Sequence, residues 1–215
     1  MAVVIDVLRA TSTIAQALAG GYRRVHCCED LAVARALRAP GRVLAGEQDC
    51  VAPPDFDLGN SPAGVLEPRA SELVLCTTNG TPTVVAAAGH APLVLLASLL
   101  NLDALLEALA REAAGASVLL VCAGSEGAES LEDLYLAGRI AARLHGERGA
   151  AASAAERLAA RFQTPLDALL ASPHAASLRA AGLEHDVHWC ARESALAVVP
   201  RVIEVSERVA IVAAQ

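Results

Sequence analysis

Short apolar runs alternate with amphipathic stretches along the chain, and the two patterns predict different elements. Continuous apolar runs are typical of strands that are buried on both faces. They predict strands over residues 3–5, 24–28, 42–45, 73–76, 94–97, 117–122, 202–205 and 209–213, with a further short strand at 186–190. Apolar residues spaced by three and four predict a helix after residue 13 and helices over 31–38, 82–88, 102–113, 129–144, 150–160 and 166–171, and a last one from a Ser172-Pro173 cap to about 181.

The order of these elements indicates the fold class. Strands that alternate with helices at this spacing favour an α/β fold with largely parallel sheets. The last two strands lie close enough in sequence to form a hairpin. Small residues at 114–116 mark an internal boundary, so we expect an N-terminal α/β domain over 1–114 and a C-terminal α/β domain over 115–215.

The composition argues against several classes of protein. The 215 residues are 54% hydrophobic but only 2% aromatic, which predicts a core of Ala, Val and Leu. A net charge of −7 without a basic stripe argues against a nucleic-acid partner. No apolar run reaches the roughly 18 residues of a membrane span, and no secretory signal is visible. The six cysteines form no C-x-x-C pair and favour a reduced, cytoplasmic protein.

The basic residues exclude two kinds of chemistry. All 17 are arginine, and the chain contains no lysine. A P-loop and a Schiff-base site both require a lysine amine. Anion recognition therefore falls to arginine, backbone N–H groups and metal ions.

Polar residues follow the first predicted strand at once. Asp6 ends the apolar run, Arg9 follows three residues later, and the hydroxyl residues at 11–13 offer an N-cap for the next helix. A helix N-terminus favours an anion. A carboxylate, an arginine and a helix start so close together suggest a site for a metal and a phosphate. The alternative is a simple βα turn with a capping carboxylate and a surface arginine.

Three other predicted strands also end in polar or glycine-rich clusters, at 46–47, 77–81 and 124–127. Because ligands of parallel sheets bind beyond the carboxyl ends of the strands, we expect these clusters to meet at one rim. Each loop is also compatible with an ordinary βα turn, and acidic residues in a first helical turn also pair with the helix dipole. The carboxylates that would suit a hard cation such as Mg²⁺ are Asp6, Glu47, Glu132 and Asp133.

Several known signatures do not fit the spacing. The Asp-x-Asp pattern fails because Leu8 stands at the second position, and no cysteine is followed six positions later by an arginine. The dinucleotide fingerprint is absent as well. His185, His188 and Cys190 have the spacing of a zinc half-site, but no second pair matches them.

The motifs together resemble the 2-phosphosulfolactate phosphatase family. The matching segments are VVIDVLRATSTI at 3–14, GE at 46–47, FDLGNSP at 56–62, CTTNGT at 76–81, CAGSEG with LEDLYLAG at 122–138, and DVHWCARES with VVP at 186–200. They follow one another over nearly the whole chain, so the joint match is specific although each segment is short. Members usually carry a short segment before the first strand, whereas here that strand begins almost at once.

The resemblance implies an Mg²⁺-dependent phosphatase with two α/β domains and a cleft between them. Its reaction hydrolyses 2-phospho-3-sulfolactate to 3-sulfolactate and phosphate, a step of coenzyme M biosynthesis. We assign the catalytic residues as Asp6, Arg9, Glu47, Thr78 and Asn79. The metal ligands would be Asp6, Glu132 and Asp133, with Glu47 as a ligand or general base. Gly80 and Thr81 would join Arg9 at the phosphoryl group, and the rest of the substrate would contact Asn60, Ser61, Ser125 and Gly127.

Two other functions stay open. A non-catalytic binder or sensor of a phosphorylated or sulfonated acid would need the anion-binding loops but not the carboxylates. Another metal-dependent enzyme acting on small acids, such as a lyase or an isomerase, would need both. In each case we expect a small anionic partner rather than nucleic acid or a membrane, and a homo-oligomer is compatible with the sequence.

Overall fold

The computed structural model describes residues 1–113, 115–125 and 127–214. Its strands are β1 (Ala2–Ile5), β2 (Arg24–Cys28), β3 (Arg42–Gly46), β4 (Glu72–Cys76), β5 (Val94–Ala97), β6 (Leu119–Cys122), β7 (Pro200–Val205) and β8 (Val209–Ala214). Its helices are α1 (Ala10–Gly20), α2 (Leu31–Ala36), α3 (Gly80–His90), α4 (Leu102–Glu112), α5 (Leu131–Ala141), α6 (Ala150–Ala159), α7 (Pro165–Leu170), α8 (Pro173–Ala180) and α9 (Glu184–Cys190). Short 3₁₀ turns occupy Pro62–Val65 and Leu99–Asn101.

The strands form an eight-stranded sheet in the order β3-β4-β2-β8-β7-β5-β1-β6. Within it, β3-β4-β2 and β5-β1-β6 are two parallel groups of three. The antiparallel hairpin of β7 and β8 joins the two groups, pairing with β5 on one side and β2 on the other. The predicted α/β class with mostly parallel strands and the predicted closing hairpin are therefore confirmed.

The predicted boundary between two domains, at residues 114 and 115, is not tested by the sheet. Strands from both segments share the sheet, since β6, β7 and β8 come from the second segment. Ala114 itself lies outside the described residues. The division into two domains with a cleft between them stays a prediction.

One predicted strand is wrong. Residues 186–190 belong to helix α9. The buried positions of this helix are Asp186, Val187 and Cys190, which lie on one side of a helical turn, while His185 and His188 are exposed. A short apolar run has the same appearance in a strand and in a buried helical turn, and only packing distinguishes them.

Strand β1 is buried on both faces, as its apolar run predicts. Val3 and Ile5 pack in a core cluster with side chains of α4 and α5. Ala2 and Val4 pack in a second cluster with side chains of α1 and α3. Asp6 therefore follows a strand whose position is fixed by packing on both faces.

Within the described ranges, every helix is too short or too polar to cross a bilayer. The six cysteines are free thiols.

Candidate active site

Polar residues that follow the parallel strands line a cavity of about 300 Å³. The residues assigned from the sequence that line it are Asp6, Arg9, Glu47, Asn60, Thr78, Asn79, Ser125, Glu132 and Asp133. The lining is completed by Leu8, Asp49, Cys50, Gly124, Ser130, His174 and Ser177. Four other assigned residues, Ser61, Gly80, Thr81 and Gly127, are not part of the lining. Glu126 of the predicted loop at 124–127 lies outside the described residues.

Asp6 is fixed at the junction of β1 and α1. Its Oδ1 accepts a hydrogen bond of 3.1 Å from the Ala10 N–H, and its backbone oxygen accepts one of 2.6 Å from Thr11 Oγ1. The prediction of a hydroxyl N-cap is wrong, because α1 begins after Arg9 and the hydroxyls at 11–13 lie inside the first turn. The Asp6 carboxylate takes a free N–H of that turn instead.

Gly80 begins α3 directly against Asp6. A Cβ atom at this position would lie 2.2 Å from Asp6 Oδ2 and 2.4 Å from Ala10 Cβ. Only a residue without a side chain allows α3 to approach the carboxylate this closely. Gly80 thus supports Asp6 from behind, and its predicted contact with a phosphoryl group remains untested.

Asp133 and Glu132 share the first turn of α5 but have different surroundings. Asp133 accepts hydrogen bonds from the Val7 N–H at 2.9 Å and the Gly124 N–H at 3.1 Å, so it ties together the loops after β1 and β6. Glu132 is only 3% exposed, and its Oε2 has no hydrogen-bond partner among the described residues. A buried carboxylate oxygen without a partner is costly unless a ligand or cation occupies the space in front of it.

The carboxylates of the cavity disturb one another's ionisation. Burial raises the pKa of Asp6 to about 7; the charges of Glu132 and Glu47 add to the rise, while the Ala10 N–H and Arg9 oppose it. Burial also raises the pKa of Asp133 well above its usual value, and the Asp6 charge raises it further. Without a bound cation, the protonated forms of Asp6 and Asp133 are therefore favoured more than in water.

This raised pKa makes the metal-free protein less stable at higher pH. Asp6 ionises in the unfolded chain above about pH 3.8 but keeps its proton in the folded protein up to about pH 7. Stability therefore falls as the pH rises between these values, and the full cost is present above pH 7. We expect Asp6→Asn to raise the melting temperature in EDTA by roughly 5 °C at pH 8 and by less at pH 5. A gain at pH 5 equal to that at pH 8 would contradict this account.

Glu47 joins two neighbouring loops. Its Oε1 accepts the Thr78 N–H at 2.9 Å, and its Oε2 accepts the Cys50 N–H at 2.9 Å. The loops after β3 and β4 are thus held together at the cavity wall. Both oxygens are already engaged, so this carboxylate is less free than Asp6 or Glu132 to bind a cation.

Arg9 brings the positive charge that faces these carboxylates. It is 3% exposed, and its Nη1 donates a hydrogen bond of 2.7 Å to Oδ2 of the fully buried Asp186. Its Nε has no partner among the described residues. An arginine that lines a cavity and has a guanidinium nitrogen without a protein partner is suited to an oxyanion.

The assigned residues outside the lining have partners of their own. Ser61 Oγ donates a hydrogen bond of 2.5 Å to Asp186 Oδ1. Thr81 is fully buried and exchanges hydrogen bonds with Thr77 through its N–H and its hydroxyl. Gly127 is exposed with a φ of 77°, in the turn between Ser125 and Ala128. The predicted substrate contacts of these residues stay predictions.

Sequence analysis missed residues from the second half of the chain. His174 and Ser177 line the cavity from α8, and Asp186 pairs with Arg9 from α9. No local pattern connects α8 with strand ends more than 90 positions earlier. Asp186 belongs to the family-like segment at 186–194, but the sequence analysis placed it in a strand and gave it no role in the site.

Among the described residues, neither of the two metal hypotheses, zinc at 185–190 or Mg²⁺ at the cavity carboxylates, finds a ready-made site. In the part of the chain that the structure describes, no three His, Cys, Asp or Glu side chains form a ready-made metal site. The zinc half-site at 185–190 therefore has no support, since Cys190 is buried while His188 is exposed. The cavity carboxylates do lie together, but a cation there would need further ligands from water or substrate.

Comparison with known proteins identifies the family. A model of the 2-phosphosulpholactate phosphatase family matches residues 1–204. A probable 2-phosphosulfolactate phosphatase of Thermus thermophilus is 42% identical over 205 residues, covering 92% of this chain and 85% of the relative. Proteins of the same printed name from Thermotoga petrophila and Synechococcus sp. are 39% and 41% identical, each covering 94% of this chain and 88% of the relative. The resemblance of the motifs is confirmed: this chain belongs to the 2-phosphosulfolactate phosphatase family.

Proposed function

We propose that this protein hydrolyses the phosphate monoester of a small acid, with 2-phospho-3-sulfolactate as substrate and 3-sulfolactate and phosphate as products. The substrate follows from the family and from the names of the relatives. The observation that carries the proposal is that two residues of opposite charge line one cavity, Arg9 and Glu132, and that each has a buried polar atom, Nε and Oε2, without a partner among the described residues. A volume of about 300 Å³ suits a small ligand.

Arg9 would bind the phosphoryl oxygens. The start of α3 adds the side chains of Thr78 and Asn79 and a helix N-terminus that favours negative charge. The Thr78 N–H donates to Glu47, so its hydroxyl is the group left for the ligand. Asn60 and Ser125 line the same cavity and would contact the remainder of the substrate.

Asp6 and Glu132 would hold the Mg²⁺ ion. The residues fit such an ion, because Glu132 Oε2 is buried without a partner and Asp6 bears a raised pKa among like charges. Asp133 would act through water, since both its oxygens already accept N–H groups. Mg²⁺ commonly takes one or two carboxylates and completes its shell with water and substrate phosphate. Bound there, it would neutralise phosphoryl charge and activate water.

The charge of the cavity wall supports a role for both a cation and an arginine. Five carboxyl groups line it, from Asp6, Glu47, Asp49, Glu132 and Asp133, whereas Arg9 is the arginine that lines it. A substrate with phosphate, sulfonate and carboxylate groups would be repelled from this wall unless positive charge were added. Electrostatic stabilisation by Arg9 and the cation would supply most of the acceleration.

The decisive experiment measures phosphate release from 2-phospho-3-sulfolactate and 2-phospholactate, with Mg²⁺ and with EDTA. We expect release that EDTA abolishes, with the sulfonated substrate turned over faster. Tight binding without release would instead support the sensor hypothesis. Turnover without phosphate release would indicate a lyase or an isomerase.

A further inference from the structure

We propose that Asp186 of helix α9 is a positioning residue that holds the Arg9 guanidinium ready for the phosphoryl group. The inference rests on the proposed function. Asp186 does not line the cavity, so it would act through Arg9 rather than on the substrate.

The Asp186 carboxylate is fully buried and fully engaged. Its Oδ2 accepts Arg9 Nη1 at 2.7 Å, and its Oδ1 accepts Ser61 Oγ at 2.5 Å. His185 Nε2 lies 3.1 Å from the same Oδ1. Two partners from distant parts of the chain, Arg9 and Ser61, together with the adjacent His185, thus fix the position and orientation of this carboxylate.

The contact with Asp186 determines which edge of Arg9 remains available. Nη1 is occupied, whereas Nε has no partner, and Nη2 makes no hydrogen bond to a described residue. Nε–H and one Nη2–H point in parallel along the same edge of a guanidinium, which is the fork that binds an oxyanion through two hydrogen bonds. Asp186 therefore holds Arg9 in a way that leaves this fork without a partner among the described residues.

Without Asp186, other carboxylates would compete for Arg9. Arg9 lines the same cavity as the carboxylates of Asp6, Glu47 and Glu132. A released guanidinium would turn toward Asp6 or Glu47, both of which line the same space. Such a pair would turn the fork away from the phosphoryl group.

Helix α9 is held firmly enough for this task. Trp189 Nε1 donates a hydrogen bond of 3.1 Å to Gln16 Oε1 on α1, the helix that Arg9 precedes. Val187 and Cys190 of α9 are fully buried. Helices α9 and α1 are thus connected by two contacts, the Trp189–Gln16 hydrogen bond and the Asp186–Arg9 pair at the start of α1.

The test measures binding of inorganic phosphate to the Mg²⁺-loaded protein by calorimetry in Asp186→Asn, Arg9→Gln and the double variant. We expect each single variant to weaken phosphate binding about tenfold, and the double variant to be no weaker than Arg9→Gln alone. The Mg²⁺-induced rise in melting temperature should stay as in the wild type, which a general structural defect would not allow. Glu193→Gln is the matched control, since it breaks the Arg139–Glu193 pair of 2.8 Å outside the cavity.

Two results would overturn the inference. One is a folded Asp186→Asn that binds phosphate as well as the wild type does. The other is a further loss in the Arg9→Gln background. If Asp186→Asn does not fold, Ser61→Ala replaces it, because that variant keeps the Asp186 charge but removes one hydrogen bond that holds the Asp186 carboxylate. Unchanged phosphate affinity in Ser61→Ala would then also overturn the inference. A wild-type protein that binds phosphate but hydrolyses no phosphate ester would contradict the proposed function. The test of Asp186 would remain valid, because it measures phosphate binding and not hydrolysis.

Discussion

Asp6→Asn is expected to lower kcat by ~10³-fold or more while the protein keeps its fold. The Asn side chain still offers Oδ1 to the Ala10 N–H, so the start of α1 is preserved. The substitution removes the negative charge of Asp6 among the cavity carboxylates, and it therefore removes a proposed ligand of the cation. Phosphate release under saturating Mg²⁺ gives kcat, and circular dichroism verifies the fold.

The control is an aspartate outside the cavity. Asp103 is exposed and pairs with Arg143 at 3.5 Å on the surface. Asp103→Asn should leave kcat within twofold of the wild type. Near-normal turnover by Asp6→Asn would remove Asp6 from the active site and refute the metal assignment.

Gly80→Ala is expected to cause the second large loss, ~10²-fold in kcat/KM, without removing any functional group. The added Cβ would lie 2.2 Å from Asp6 Oδ2 and 2.4 Å from Ala10 Cβ, so α3 or the carboxylate must move. Both neighbours are held, since Ala10 belongs to α1 and Asp6 accepts its N–H. We expect a loss of about 2 kcal/mol in the free energy of unfolding as well.

A second glycine of the same helix provides a matched control. Gly89 lies near the end of α3, and a Cβ there would meet no atom within 4 Å. Gly89→Ala should leave kcat/KM unchanged and stabilise the helix by roughly 0.5–1 kcal/mol. Steady-state kinetics and thermal unfolding of the two variants separate steric displacement of Asp6 from a general effect on α3. Equal behaviour of the two variants would contradict the role given to Gly80.

Within each parallel group the meeting of strand ends was predictable, because parallel neighbours carry their carboxyl ends to the same edge of a sheet. Asp6 and Glu132 follow strands of one group, β1 and β6, whereas Glu47 and Thr78 follow strands of the other, β3 and β4. The two groups run in opposite directions, since three successive antiparallel pairings separate β2 from β5. The meeting of both sets in one cavity therefore does not follow from the rule, and nothing in the sequence predicts that the hairpin lies between the two groups.

The partners of individual side chains could not be predicted in the same way. A loop hydroxyl suits a ligand and a backbone group equally well, and Thr81 bonds to Thr77 while Ser61 bonds to Asp186. Gly80 was assigned to the phosphoryl group, which stays a prediction, and its close approach to Asp6 and Ala10 could not be read from the sequence. The ion pair between Arg9 and Asp186 spans 177 positions, and such contacts depend on tertiary packing alone.

The place of β7 and β8 in the sheet has a consequence for the order of folding during synthesis. The two groups of parallel strands are complete once β6 has been made, but their inner edges, β5 and β2, stay unpaired until residues 200–214 emerge from the ribosome. Long-range pairing of this kind slows folding and leaves strand edges exposed to other chains. The nascent protein would therefore depend on chaperones most strongly in the interval between the synthesis of β6 and that of residues 200–214.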